Sequence, residues 1–183
     1  MPDSMKALLR IIFWVLCASG LIITGDSLSA PGTAHRYPTR WRYIVIHHSA
    51  TAVGNAANMD RYHRRVRHMR NGLAYHFVIC NGSSGRKDGQ IEIGDRWRKQ
   101  LHGGHCKQNW YNQHGIGICL VGNFNRTAPT EKQFWSLVWQ VKDLMKKYNI
   151  PLQNVKGHGG VTGEKTVCPG KKFPWKRLRK YLK

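Results

Sequence analysis

The sequence feature that most constrains the fold is an unbroken apolar run at residues 116–121, IGICLV. A strand buried on one face alternates apolar and polar side chains, whereas a continuous run is typical of a strand covered on both faces. Residues 43–46, YIVI, form a second run of this kind, rich in β-branched side chains. Two such strands predict a central sheet with helices packed against it.

Segments with helical periodicity predict the helices that would cover this sheet. The clearest helix is predicted over 131–148, where apolar residues recur with the 3.6-residue period and Thr130 and Gln133 form a capping box. A helix is also predicted over 55–70, and a basic helix opens near Pro174. Shorter apolar runs predict further strands over 75–79, 90–93 and 155–158.

A chain of 183 residues has room for one domain with a proper core. Its mixture of strands and helices predicts an α/β fold, a single domain with a central mixed β-sheet flanked by helices.

The N-terminus has the order of an export signal. Lys6 and Arg10 come first, then an apolar run over 11–23, then small residues over 27–30. The apolar run is short of the roughly 20 residues that span a bilayer, so both a cleaved signal peptide and an uncleaved membrane anchor stay open. We expect residues 1–30 to be this signal or anchor, 31–41 a linker and 42–183 the working domain. The expected location is the periplasm, the cell wall or the medium.

The charge of the chain is its compositional anomaly, with 30 Lys and Arg against 9 Asp and Glu. Such an excess favours polyanionic partners and carries no information about fold. Export disfavours nucleic acid, and no helix-turn-helix or aromatic RNA-binding pattern is visible. We therefore expect no nucleic-acid partner. The basic surface would instead attract anionic cell-wall polymers or membrane lipid, although its C-terminal segment also fits a helix packed on the sheet with its bases in solvent.

Three segments offer metal ligands. His47 ends the first predicted strand, His158 ends the last one, and Cys168 follows ten residues later. Two imidazoles and one thiolate are suitable ligands for Zn²⁺, and a catalytic zinc site needs only three ligands from the protein. Taken one at a time, each residue is more often structural, so only their combination indicates a site.

These residues lie in four strings that occur in order, IHHSAT at 46–51, AYHFVI at 74–79, GIGICLVG at 115–122 and GH…CPG at 157–170. The set resembles the type-2 N-acetylmuramoyl-L-alanine amidases, a family that includes phage amidases and animal peptidoglycan recognition proteins. The resemblance covers about residues 42–180. It implies the fold of that family and a Zn²⁺-dependent hydrolysis of the amide bond between N-acetylmuramic acid and L-alanine, with peptidoglycan or muropeptides as partners.

The resemblance also implies roles for particular residues. His47, His158 and Cys168 match the zinc ligands, and Tyr75 matches the tyrosine beside the metal. Thr166, or the adjacent Lys165, falls where the family places a donor to the scissile carbonyl. His105 and Asn112 resemble residues that line the substrate groove. The ten-residue spacing from His158 to Cys168 is longer than the eight of many members, which leaves the surroundings of Thr166 open.

Several alternatives remain at this stage. The chain could be a peptidoglycan-binding module without catalysis, although members that only bind have typically lost the cysteine ligand. A phage endolysin and a host wall enzyme are not separated. Tyr75 could be a core aromatic, Thr166 a turn residue and His48 a polar neighbour of the site. Cys119 fits a small buried hydrophobe, and Cys80 and Cys106 could pair after export. No acidic general base is assigned.

Overall fold

The computed structural model describes residues 41–183; the predicted signal or anchor, and the predicted linker apart from Trp41, lie outside this range. Five strands and five α-helices are interspersed along the described residues. In chain order they are β1 Tyr43–His48, α1 Ala56–Arg65, β2 Phe77–Asn81, β3 Asp88–Ile93, α2 Asp95–Arg98, α3 Asn109–His114, β4 Gly115–Leu120, α4 Glu131–Tyr148, β5 Val155–Gly157 and α5 Trp175–Leu182. The 3-10 turns Leu152–Asn154 and His158–Gly160 flank β5.

The five strands form one mixed sheet in the order β3-β2-β4-β1-β5. β3 is antiparallel to β2, and the other neighbours are parallel. β4 and β1 lie at the centre, which explains why their sequences are continuously apolar. This architecture confirms the predicted α/β fold with a mixed sheet and flanking helices.

One face of the sheet carries the main hydrophobic core, and the opposite face carries His47. Ile44, Ile46, Ile116 and Ile118 belong to the main core, which also includes buried side chains of α4 and α5. Because side chains alternate between faces along a strand, His47 points to the opposite face. The paired register of β1 and β4 places Cys119 directly beside His47 on that face.

The helix predicted over 55–70 is shorter than expected and ends at Arg65. The following segment folds back onto it, since Asp60 accepts a hydrogen bond from the Leu73 N–H at 2.7 Å. Gly72 permits this return, because it has a φ of +62° and any Cβ there would collide with the Asp60 carboxylate. Met59 packs partly against a small buried cluster on the face of the sheet opposite the main core, whereas Tyr62 and Val66 remain 52% and 57% exposed.

The bounds of α4, β2 and β5 agree with the predicted bounds to within two residues. α4 has the predicted bounds and both hydrogen bonds of the predicted capping box. The strand predicted over 75–79 begins two residues later, and the strand predicted over 155–158 ends at Gly157. α2 and α3, of four and six residues, were not predicted, because such short helices carry little periodic signal.

Both ends of the described chain pack on the core. The side chain of Trp41, the last residue of the predicted linker, is buried there. α5 buries Leu178 and Leu182 and packs Trp175 and Tyr181 partly against the same core, with its bases mostly exposed. Within residues 41–183, no helix combines the length and the apolar character that crossing a bilayer requires.

Candidate metal centre

The two histidines of the centre meet because their strands are parallel neighbours. Ile46 of β1 pairs with Gly157 of β5, so the next residue of each chain segment, His47 near the end of β1 and His158 just after β5, lies at the same end of the two strands. Their ring centroids lie 4.5 Å apart. Side chains that follow parallel strands converge at the carboxyl edge of a sheet, which is the usual place for a site in such a fold.

Cys168 arrives from the loop after His158. The loop is closed by a hydrogen bond of 2.8 Å from the Gly159 N–H to the Cys168 carbonyl. The Cys168 sulfur lies 3.9 Å from His47 Nδ1 and accepts a hydrogen bond from the backbone N–H of His48 at 3.4 Å. One donor atom from each of His47, His158 and Cys168 lies within 4.8 Å of the others. The structure therefore brings the three predicted ligands together.

Burial sets the protonation state of this centre. It lowers the pKa of His47 well below its usual value, with further lowering by His105, His158 and His48. Burial also lowers the pKa of His158, against an opposing effect of Glu164. It raises the pKa of the Cys168 thiol to about 11. Neutral imidazoles are the form that binds a metal, and a thiol gives up its proton when it ligates. By donor chemistry these residues fit Zn²⁺.

Tyr75 lies beside the centre, in the segment between α1 and β2. Its ring centroid is 5.1 Å from that of His47. Burial raises the pKa of its phenol well above the usual value, and Cys119 and Cys168 raise it further. Tyr75 is therefore a neutral hydroxyl beside the predicted ligands, and it can donate a hydrogen bond. It also contacts the α1 cleft described below.

His105 contacts the His47 ring. Its Nδ1 lies 3.1 Å from His47 Nε2, and its Nε2 lies 3.2 Å from the Gly115 carbonyl oxygen. Gly117 of β4 leaves room for this ring, since a Cβ there would come within 2.3 Å of it. His105 is buried, at 7% exposure, and it contacts His47, a predicted metal ligand. Its predicted contact with substrate stays a prediction.

Asn112 organises the loop that carries His105. Its Oδ1 accepts hydrogen bonds from the N–H groups of His105 and Cys106 at 2.8 and 2.9 Å. Its Nδ2 donates to the Cys106 carbonyl at 2.8 Å. These bonds hold the loop in place. The predicted contact of Asn112 with substrate stays a prediction as well.

Thr166 and Lys165 are exposed residues of the loop that leads to Cys168. The Thr166 hydroxyl oxygen accepts a hydrogen bond from the Cys168 N–H at 3.2 Å. This is the turn role left open by the sequence. The hydrogen of the hydroxyl remains available, so Thr166 can still act as a donor.

Three residues near the centre were missed as site residues. Cys119 is buried, as expected, but it is also in hydrogen-bonding contact with Tyr75. The Cys106 sulfur lies 3.2 Å from His105 Nδ1. Glu164 lies 3.2 Å from His158 Nε2 and is the one acid between His158 and Cys168, a signal visible in the sequence. The disulfide left open for Cys80 and Cys106 is absent, because all four cysteines among residues 41–183 are free thiols.

Three clefts border the centre, and the smallest, of about 220 Å³, is lined by Tyr75, His105 and residues of α1. The Cys168 cleft has a volume of about 400 Å³ and is lined by the Thr166–Cys168 segment, the glycines near His158, Lys156, Trp175 and Arg179. The α1 cleft, of about 540 Å³, is lined by residues after β1, by Met59, Tyr62 and His63 of α1, and by Tyr75. A ligand of some length could reach the centre through either of the two larger clefts.

Comparison with known proteins agrees with this geometry. Residues 37–171 match the N-acetylmuramoyl-L-alanine amidase family. The N-acetylmuramoyl-L-alanine amidase LysC of Clostridium intestinale superposes with a TM-score of 0.65 at 32% identity, covering 79% of this chain and 87% of that one.

Curated relatives match over shorter stretches. Peptidoglycan-recognition protein SA of Drosophila melanogaster is 33% identical over 98 residues, 49% of this chain and 43% of the relative. The 1,6-anhydro-N-acetylmuramyl-L-alanine amidase AmpD of Enterobacter cloacae is 32% identical over 71 residues, 39% and 37% of the two chains. These matches span less than half the length of either relative. Since the family match covers most of the described residues, the chain belongs to the N-acetylmuramoyl-L-alanine amidase family.

Proposed function

We propose that the chain is a zinc-dependent N-acetylmuramoyl-L-alanine amidase that hydrolyses the bond between N-acetylmuramic acid and L-alanine in peptidoglycan. The observation that carries this proposal is the convergence of His47, His158 and Cys168, beside a neutral Tyr75. Amidases among the relatives, LysC and AmpD, support the same reaction.

The roles of the residues follow from their positions. His47, His158 and Cys168 would hold Zn²⁺, which when bound supplies a Lewis acid that acidifies water and polarises a carbonyl. Tyr75 would donate a hydrogen bond to the carbonyl oxygen of the substrate as negative charge develops on it. Thr166, at the rim of the Cys168 cleft, would donate from the opposite side, or Lys165 would replace it. His105 would keep the His47 ring in place through its 3.1 Å contact.

The substrate would lie along the Cys168 cleft and the α1 cleft. A muropeptide has a sugar and a peptide that diverge from the scissile amide, and one of the clefts has Cys168 in its lining while the other has Tyr75. Relatives named for peptidoglycan recognition support this class of ligand.

A second candidate is a module that binds peptidoglycan without cutting it, which the match to a recognition protein favours. The two functions differ in what they require of Cys168. A binder has no need of a thiolate beside two imidazoles, whereas an amidase needs all three ligands. The retained cysteine supports the enzyme.

Digestion of purified peptidoglycan tests the proposal. We expect the intact chain to release stem peptides with new L-alanine amino termini, detected by mass spectrometry, and to stop doing so after treatment with a chelator. Added Zn²⁺ should restore the activity. Cys168→Ser should be inactive, while Cys80→Ser, which changes a buried thiol in β2, should remain active. Wall binding without new amino termini would favour the binding module.

The location and the basic surface complete the proposal. An export signal or anchor at residues 1–30 would place the domain outside the cytoplasm, where its substrate lies. The exposed bases of α5 would draw it to anionic wall polymers or membrane lipid.

A further inference from the structure

Glu164 is a buried carboxylate that joins two loops at the metal centre. Its side chain is 7% exposed. Its Oε1 accepts hydrogen bonds from the backbone N–H groups of Lys107 and Gln108, at 2.5 and 3.1 Å. These residues follow His105 and Cys106, so a single carboxylate ties the loop of the His158–Cys168 segment to the loop that supports His47.

The second oxygen of Glu164 points to a ligand. Oε2 lies 3.2 Å from His158 Nε2. This nitrogen is buried and forms no hydrogen bond in the structure. A carboxylate can only accept, so the partner it favours is an Nε2–H group. A small rotation of either side chain would complete the bond.

We propose that Glu164 is a positioning residue that fixes the tautomer and orientation of His158. With the proton on Nε2, the lone pair of the other ring nitrogen, Nδ1, is free for a metal ion. Carboxylates that hold a ligand histidine in this way typically contribute a factor of about 10 to 100 in metal affinity. This inference rests on the proposed role of His158 as a zinc ligand.

The long spacing between His158 and Cys168 makes this contact possible. Glu164 lies within the loop that lengthens the spacing to ten residues. The preceding Gly163 has a φ of +83°, and a Cβ there would come within 2.4 Å of the Gln108 amide. The glycine therefore lets the two loops approach closely enough for Glu164 to reach both of them.

Two substitutions separate the two contacts. In Glu164→Gln the amide oxygen can still accept from Lys107 and Gln108, while its NH₂ group faces His158 and removes the acceptor. In Glu164→Ala both contacts are lost. Glu131→Gln makes the same change of charge at an exposed acid of α4 and serves as the matched control.

The first measurement is the ¹⁵N spectrum of the histidine rings in the metal-free chain, with the His158 signals assigned by their loss in His158→Gln. We expect the Nε2–H tautomer in the native chain and in Glu131→Gln, and a shift toward Nδ1–H in Glu164→Gln. Hydrogen exchange of the Lys107 and Gln108 amides should accelerate in Glu164→Ala and remain slow in Glu164→Gln.

The second measurement is zinc affinity by competition with a chromophoric chelator. Glu164→Gln should bind Zn²⁺ about 10- to 100-fold more weakly than the native chain, and Glu131→Gln equally tightly. An unchanged tautomer together with an unchanged affinity in Glu164→Gln would overturn the inference. If the native chain bound zinc but released no peptide from the wall, the proposed reaction would fail while the role of Glu164 could still be read from the spectrum.

Discussion

Burial determines the protonation states of Cys168, His47 and His158 in the metal-free centre. Burial raises the pKa of the Cys168 thiol to about 11, so the metal-free thiol is protonated at neutral pH. Burial also lowers the pKa values of His47 and His158 below the usual 6.5, so both rings are already neutral there. Between about pH 7 and pH 9 the thiol is then the one of the three proposed ligands that would have to lose a proton to bind zinc.

Zinc affinity should therefore depend on pH in a defined way. Because binding releases one proton, the zinc dissociation constant should fall about tenfold for each unit rise between pH 7 and pH 9. Chelator competition, corrected for the known proton affinity of the chelator, measures this slope. A dissociation constant that does not change over this range would mean that the Cys168 thiol is not a ligand or is already ionised.

Tyr75 should act through its hydroxyl alone. In Tyr75→Phe we expect kcat to fall by about 10²- to 10³-fold, as for loss of one donor to a developing oxyanion. The zinc content should be unchanged, since Tyr75 is not a ligand. Steady-state kinetics on a soluble muropeptide measure this effect. Tyr181→Phe on α5, remote from the centre, is the control, and equal rates for all three chains would remove Tyr75 from the mechanism.

Among the elements, α4 is hydrogen-bonded to the backbone of the sheet through one buried side chain, that of Gln133. Gln133 completes the capping box with Thr130, and its Nε2 also donates to the Ile79 carbonyl at 3.0 Å and the Val121 carbonyl at 2.9 Å. One amide thus donates to a carbonyl within β2 and to the carbonyl of the residue that follows β4. The sequence predicts the cap but not these two bonds, because they depend on how the helix docks.

These contacts predict two different losses of stability. Gln133→Ala leaves the buried Val121 carbonyl without its donor, while the Ile79 carbonyl still accepts from the Val121 N–H at 2.9 Å, and should lower the free energy of unfolding by about 2 kcal/mol. Thr130→Ala, which removes the side-chain cap and the hydrogen bond that the Thr130 hydroxyl donates to Asp88 at 2.6 Å, should cost about 1 kcal/mol. Urea denaturation measures both, with Gln113→Ala at an exposed position of α3 as the control. Equal losses for the two variants would contradict the linking role of Gln133.

Local signals explain which elements could be predicted. The bounds of α4 were predictable because periodicity and the cap are both local. The end of α1 was not, because it depends on the return of the chain at Gly72 and on the Asp60–Leu73 hydrogen bond. The convergence of His47 and His158 depends on β5 lying beside β1, which no local pattern specifies. The resemblance identified the ligands, whereas the contacts of Glu164 and Cys119 became visible only in three dimensions.

The whole molecule combines a buried neutral centre with a strongly basic exterior. The chain has a net charge of +21, and several bases of α5, including Lys176, Arg179 and Lys180, are exposed. Charges on a surface act over a distance that salt controls, about 10 Å at 0.1 M. We therefore propose that this surface affects where the chain binds rather than how it folds.

Binding to anionic surfaces should fall steeply with salt. We expect sedimentation with purified cell wall, or with vesicles of anionic lipid, to weaken at least about tenfold between low and high salt. Combining Lys176→Glu and Lys180→Glu, which leaves Arg179 of the Cys168 cleft in place, should weaken binding at low salt without loss of the buried Leu178 and Leu182 contacts. Cleavage of a small soluble muropeptide should be less affected. Binding that is indifferent to both changes would show that the basic surface has no such role.

The central claim is that His47, His158 and Cys168 bind one metal ion. The most direct test is to measure bound zinc per chain and the absorption spectrum of the cobalt-substituted protein, for the native chain and for Cys168→Ser, Cys106→Ser and Cys119→Ser. We predict one zinc per chain and a thiolate-to-cobalt charge-transfer band that disappears only in Cys168→Ser. No bound metal in the native chain, or a band that survives in Cys168→Ser, would contradict the account.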